Sequence, residues 1–264
     1  MKTISSRQNP IVREFRDLAH TPDPSGARLL LDGAHLVREA QRAGTAIRIV
    51  AVAASKMDTD SEEGALARAL AGSGTEVVSA SDQVFDAMSP VRTPGGIVAI
   101  AERTPATLAG ICRNAGFVLA AIDVQDPGNL GSLIRAAEAG GVTGVVVTGA
   151  SAHPFSWKAV RGSMGSALRL PIASAPSVSA VLSSMKESGL RTVAAVPRGG
   201  VDPADVSWSG KVGLLLGGEG PGLTSDVIAS SDERVTIPMA PPVESLNVAV
   251  AGAILVYAAR LQRS

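Results

Sequence analysis

FVLAAIDVQDPGNLGSLIRAAEAGGVTGVVVTG, residues 117–149, holds a complete strand–turn–helix–strand unit. FVLAAIDV at 117–124 is a near-continuous apolar run, as a strand buried on both faces of a parallel sheet requires. A turn through Pro127-Gly128-Asn129 follows, a helix is expected over 129–140, and VTGVVVTG returns as the next strand. Open α/β sheets bind ligands where strands end and helices begin, because free backbone N–H groups gather there. The turn is not G-x-G-x-x-G, so the dinucleotide fingerprint is missing. Arg135 stands on the helix among Leu133, Ile134, Ala136 and Ala137. A guanidinium in such company is either an ion-pair strut or an anion-binding group, and the neighbouring turn favours the anion.

Outward from this unit the same alternation continues. Downstream strands are expected at LPIASA, RTVAAV, KVGLLLGG and ERVTIP, with a last helix from Ser245 to about Arg263. Upstream, residues 1–20 have a basic amphipathic pattern with Ile11, Val12, Phe15 and Leu18 on one side, so a helix is expected there. TPDPSG at 21–26 breaks it. LLLDG, IRIVAVA, VVSA and GIVAIAE then read as strands, separated by helical stretches. Residues 103–115 read as the connection between two α/β domains, 1–104 and 105–264.

Three further stretches carry candidate chemistry. LLLGGEGPGL at 214–223 runs a buried strand into four glycines around Glu219 and Pro221. A loop so poor in side chains lets backbone approach a flat ligand; Glu219 could be a base, a ligand contact or a brace for Arg135. VTIPMAPPVESLNVAVAGAILVYAARLQR at 235–263 places Ser245 as a natural N-cap and Asn247 in the first turn. The helix after it is apolar nearly all round, so it is buried on several sides, and its small residues suit a subunit interface. WKAVRGSMGSALRLP at 157–171 offers Lys158, Arg161 and Arg169, in either a solvated loop or an RNA-phosphate contact.

Composition sets the outer limits. The 264 residues are 45% hydrophobic and 18% charged, an ordinary globular balance that excludes intrinsic disorder. Basic and acidic residues number 24 each, giving zero net charge, which counts against a nucleic-acid partner. Their distribution softens that, because Lys2, Arg7, Arg13, Arg16, Arg28, Arg38, Arg42 and Arg48 face only Glu14, Asp17, Asp23, Asp32 and Glu39 in residues 1–48. The one cysteine, Cys112, excludes a disulfide within the chain and reads as a packing residue, and His20, His35 and His153 lack ligand spacing, so no metal is expected. No apolar run reaches the roughly 18 residues of a membrane span, and the first ten residues lack a signal core, so a cytoplasmic protein is expected.

Taken in order, Asn129…Arg135, the Gly217–Gly222 loop and SLNVAVA at 245–251 resemble the TrmH/SpoU branch of the SPOUT RNA methyltransferases over most of residues 117–264. DGAHLVREA at 32–40 is similar to the ribosomal-protein-like substrate-binding domain that precedes the catalytic domain in many members. The likeness is greatest to ribosomal RNA 2′-O-methyltransferases, the thiostrepton-resistance type among them. The resemblance implies a trefoil-knotted parallel-sheet domain, an obligate homodimer with active sites at the subunit interface, and S-adenosyl-L-methionine (SAM) as methyl donor. It implies a donor cradle of Thr148-Gly149, Gly217 to Gly220, Ile237, Pro238, Met239 and Leu246. It makes Arg135 the catalytic arginine, as base or as electrostatic clamp, with Asn129, Glu219, Ser245 and Asn247 around it. Arg7, Arg13, Lys158 and Arg161 are the expected RNA contacts. The implied reaction is methyl transfer to a ribose 2′-hydroxyl, with 23S ribosomal RNA favoured over transfer RNA. Two other classes stay in view: a nucleotide-binding oxidoreductase, opposed by the absent fingerprint, and an RNA-binding module without catalysis.

Overall fold

The structure is a computed structural model that describes residues 2–57 and 60–263. Its contacts divide the chain into two compact units, Met1–Thr104 with Phe155–Leu168, and Pro105–Pro154 with Arg169–Ser264. Phe155–Leu168, expected within the domain 105–264, thus packs with the first unit.

In the first unit, strands β1 (Lys2–Ile4), β2 (Arg28–Asp32), β3 (Ala46–Ala53), β4 (Glu76–Ala80) and β5 (Ile97–Glu102) form a mixed sheet of order β1-β4-β3-β5-β2. The helix expected over residues 1–20 begins only at Pro10, and residues 2–4 pair with β4 instead. The reason is local: the Asn9 side chain accepts from Ile11 N and Pro10 takes the first helical position, which fixes the start. Val12, Phe15 and Leu18 then face a core with Ile49, Val78, Phe85 and Ile100.

Phe155–Leu168 is fixed to this unit by its own residues. The Phe155 ring lies under the Arg103 guanidinium at 4.2 Å, and Trp157 packs on the core. Ser156 caps the helix Trp157–Gly162, so this stretch is helical in part, not a free loop.

The second unit is a six-stranded, wholly parallel sheet. Its strands are β6 (Phe117–Ile122), β7 (Gly144–Thr148), β8 (Ile172–Ser174), β9 (Arg191–Ala195), β10 (Val212–Gly217) and β11 (Glu233–Val235), in the order β11-β9-β10-β6-β7-β8. Every residue of β6 is buried, as its unbroken apolar run demands. The chain runs from β6 outward to β7 and β8, then crosses to β9 before returning to β10 beside β6. The chain thus reverses direction between β6 and β10, and sheets of this kind bind ligands at the carboxyl ends of their strands.

Two helices position the site. Asp126 accepts from Asn129 N at 2.7 Å and Pro127 follows it, so the first runs Pro127–Ala139. The second, Val248–Arg263, packs against it. The fit is close: a side chain at Gly252 would strike Leu133, and one at Gly140 would strike Val256. These small residues therefore serve packing within one chain. The connection at 103–115 also holds the short helix Leu108–Arg113, capped by Thr107, with Cys112 fully buried as a packing residue.

Candidate functional site

A cavity of about 340 Å³ opens in the second unit. Three loops wall it: Gly217–Gly222 after β10, Ala195–Pro197 after β9, and the segment from Ile237 to Asn247 before the last helix. Leu216, Val235, Val248, Ala251 and Leu255 form the apolar remainder.

The glycines of the first wall have separate causes. A Cβ on Gly217 would lie 2.8 Å from Gly222 Cα, and one on Gly218 would overlap the Asp123 carbonyl oxygen and sit 2.9 Å from Val124 N. Both are glycine because the chain crosses its own backbone there, so the glycine run is not explained by a ligand alone. Gly220 and Gly222 instead hold φ of 100° and 69°.

A hydrogen-bond relay joins the three motifs. Asn129 Nδ2 donates to Glu219 Oε1. Asn247 Nδ2 donates to Asn129 Oδ1 at 2.9 Å. Asn247 Oδ1 accepts from Ala249 N at 2.9 Å and Val250 N at 3.3 Å. Asn247 is therefore the N-cap of the last helix, and Ser245, expected there, lies on the cavity wall. One side chain thus ties the helix start to the Glu219 loop through Asn129.

Arg135 is exposed on the outer side of the helix Pro127–Ala139. Among the described residues it has no hydrogen-bond or ion-pair partner, so it is not a strut, and Glu219 does not brace it.

The expected donor cradle is brought together in part. Gly217, Gly218, Glu219, Gly220, Ile237, Met239 and Leu246 line the cavity; Thr148, Gly149 and Pro238 do not. Thr148 is 3% exposed and its hydroxyl donates to Ala175 O. Gly149 leaves room for Asp123, whose carboxylate accepts from Ala150 N at 2.7 Å. The Ala195–Pro197 wall was not legible as a site, because the signal at β9 is only a strand ending in Val196-Pro197.

The four RNA-contact candidates all fall in the first unit. Arg7 is already engaged, its guanidinium donating twice to Gln83 O at 3.2 and 2.9 Å. Arg13 and Lys158 are exposed, with the Lys158 ammonium 5.5 Å from the Trp157 ring centre. Arg161 Nη1 is 3.8 Å from Asp32 Oδ2. Burial pushes the Asp32 carboxyl up, opposed by the Ser89 hydroxyl and Arg161. Among the described residues no cluster of His, Cys, Asp and Glu is suited to a metal, and no helix is long and apolar enough to cross a membrane.

The sequence profile of the SpoU rRNA Methylase family matches residues 116–257. The chain belongs to this family. The SpoU match spans Asn129, Arg135, Glu219 and Asn247 together with all three cavity walls. Residues 9–99 match the MRM3-like substrate binding domain. The 23S rRNA (guanosine(2553)-2′-O)-methyltransferase RlmP of Bacillus subtilis is 30% identical, covering 97% of this chain and 98% of its own. An uncharacterised tRNA/rRNA methyltransferase of Synechocystis is 33% identical over 99% of this chain and 94% of its own. Among solved structures, the AdoMet-bound rRNA methyltransferase of Sinorhizobium meliloti superposes with a TM-score of 0.84 at 28% identity, covering 98% of this chain and 97% of its own. The SpoU methyltransferase AviRb of Streptomyces viridochromogenes, in complex with AdoMet, gives 0.85 at 26% identity, covering 97% and 98%.

The relay makes a separable prediction in this SpoU chain. Asn247→Ala removes a cap, which costs about 1 kcal/mol and lowers Tm by about 2–4 °C in a chain of this size. Asn247→Asp keeps the acceptor for the helix amides but cannot donate to Asn129. It is expected to hold Tm near the parent value while methyl transfer falls, as thermal unfolding and an activity assay on the same samples would record.

Proposed function

We propose that this SpoU-family chain is a SAM-dependent ribose 2′-O-methyltransferase, acting on 23S ribosomal RNA as a cytoplasmic homodimer. The observation that carries the reading is Arg135: an unpartnered guanidinium on the helix whose Asn129 joins the cavity loop. RlmP, whose name states 2′-O-methylation of 23S rRNA, and the two relatives solved with AdoMet support it.

The cavity fits such a donor. Its volume of about 340 Å³ lies in the range of small-molecule sites. Apolar walls and bare glycine backbone suit a flat adenine, and the Glu219 carboxylate suits a cationic ligand. Bound there, SAM supplies a methyl group on a positively charged sulfur. Thr148, Gly149 and Pro238 lie outside the cavity lining.

The chain's own residues do the remainder. Arg135 holds a phosphate beside the target nucleotide and stabilises charge developing on the 2′-oxygen. It is assigned to binding and not to proton removal, because a guanidinium presents donors and no acceptor. Asn129, Glu219, Ser245 and Asn247 fix the loops so that the hydroxyl is aligned, and alignment contributes much of the rate. Residues 1–104, with Lys158 and Arg161 from the Phe155–Leu168 segment and Arg13 from the first helix, bind the RNA; residues 105–264 otherwise carry catalysis. The trefoil knot implied by the family belongs to this reading.

The dimer rests on a surface stripe. Val250, Ile254 and Tyr257 are 49%, 41% and 48% exposed and recur at helical spacing on the last helix. Ile254→Asp is expected to convert a dimer to monomer in light scattering; a monomeric parent would remove the dimer from this account.

The reaction is tested with labelled SAM and 23S ribosomal RNA, with transfer RNA as the parallel arm. A 2′-O-methyl group blocks attack on the adjacent phosphodiester, so label is expected in alkali-resistant dinucleotides. Label confined to alkali-labile mononucleotides would move the methyl to a base. Label entering only the transfer RNA arm would change the substrate.

A further inference from the structure

The partner that Arg135 lacks is close at hand. On the helix Pro127–Ala139, residues three and four apart are neighbours, with Cβ atoms about 5–6 Å apart. The one-turn neighbours of Arg135 are Gly131, Ser132, Glu138 and Ala139, so Glu138 is the acid within reach. Yet Glu138 is held elsewhere. Arg169 Nε donates to Glu138 Oε1 and Arg169 Nη2 to Glu138 Oε2, each at 2.8 Å. The fork occupies both carboxylate oxygens in a partly buried pair, the two side chains being 37% and 28% exposed.

Arg169 is well placed to hold. Leu170 is buried, and Pro171 O accepts from Val145 N at 2.9 Å, which ties the backbone after Arg169 to β7. The arginine reaches the helix from a fixed base, so the fork costs little side-chain entropy.

We infer that Arg169 is a positioning residue that keeps Arg135 available for RNA by occupying Glu138. Two effects act in the same direction. Without Arg169, Glu138 turns to Arg135 as an i,i+3 pair and competes with the incoming phosphate. A Glu138 carboxylate that Arg169 no longer neutralises, one turn from the phosphate site, also repels the RNA. This rests on the reading of Arg135 as the phosphate-holding group.

Arg169→Gln, Arg169→Gln/Glu138→Gln and Arg135→Ala are compared with the parent. Affinity for a 23S ribosomal RNA transcript is read by filter binding, and kcat/KM, SAM affinity and Tm are read on the same samples. Arg169→Gln is expected to weaken RNA binding and kcat/KM about three- to fivefold, the scale of one partly exposed ion pair, with SAM affinity unchanged. The double variant is expected to recover most of that loss. A merely structural fork would give a double variant as poor as the single or poorer, since neither can form the pair, and that outcome overturns the inference. So does an Arg169→Gln variant at parent level while Arg135→Ala is inactive. An active Arg135→Ala instead defeats the underlying reading of Arg135.

Discussion

Arg135→Ala is expected to lower methyl transfer by about 10²–10³-fold, the usual loss when one transition-state electrostatic contact is removed, with SAM affinity and Tm unchanged. The structure separates these quantities. Leu130, Leu133, Ile134 and Ala137 anchor the helix in the core, whereas Arg135 is exposed and has no partner among the described residues. Truncation therefore removes chemistry and leaves packing alone. Arg135→Lys should fall between parent and alanine, because an ammonium keeps the charge but loses the planar fork that suits phosphate. Single-turnover transfer from labelled SAM, beside calorimetric titration of the donor, reads both. An alanine variant with near-parental turnover would take Arg135 out of the reaction.

Gly218→Ala is expected to abolish measurable SAM binding and to destabilise the protein by about 3 kcal/mol or more, the upper range for overpacking. The added methyl overlaps the Asp123 carbonyl oxygen and nears Val124 N, and backbone offers no rotamer to relieve the clash. Both sides of the crossing are pinned. Gly217 lies in register with Ile122 across β10 and β6, and Asp123 already holds a φ of 58°. Any shift opens the cavity wall. Gly220→Ala is the instructive contrast: its φ is 100° but no atom lies within 4 Å of an added Cβ. Its cost is conformational only, about 1–2 kcal/mol, so donor binding should weaken without vanishing. Donor titration and thermal unfolding of the two variants check both statements. Equal tolerance of the two substitutions would contradict the crossing as the reason for Gly218.

The elements that decide the fold were legible because their signals are local. An unbroken apolar run marks β6, and the helix expected over 129–140 forms, although Asp126 and Pro127 start it two residues earlier, inside the expected turn. What escaped depended on distant partners. Lys2–Ile4 becomes a strand through pairing with Val78–Ala80, which no three-residue pattern announces. Phe155–Leu168 packs with the first unit through Trp157 and Phe155, contacts invisible until the chain is folded. At the site, motifs with side-chain chemistry were found, and Asn129, Glu219 and Asn247 do meet. Walls made of backbone were harder to place. Ala195–Pro197 carries no such signal, and Thr148-Gly149 is not part of the cavity lining, because a residue that contributes only its main chain leaves little trace in residue type. The cap shifted from Ser245 to Asn247 for a related reason: the loop that walls the cavity uses Ser245 and Leu246 before the helix can begin.

A crystal structure of the protein grown with SAM addresses the donor site directly. Density for the donor is expected inside the cavity bounded by Ala195–Pro197, Gly217–Gly222 and the Ile237–Asn247 segment, with Arg135 still unpaired. Donor bound at any other surface of the chain, or these three walls collapsed onto one another with the donor excluded, would contradict the account.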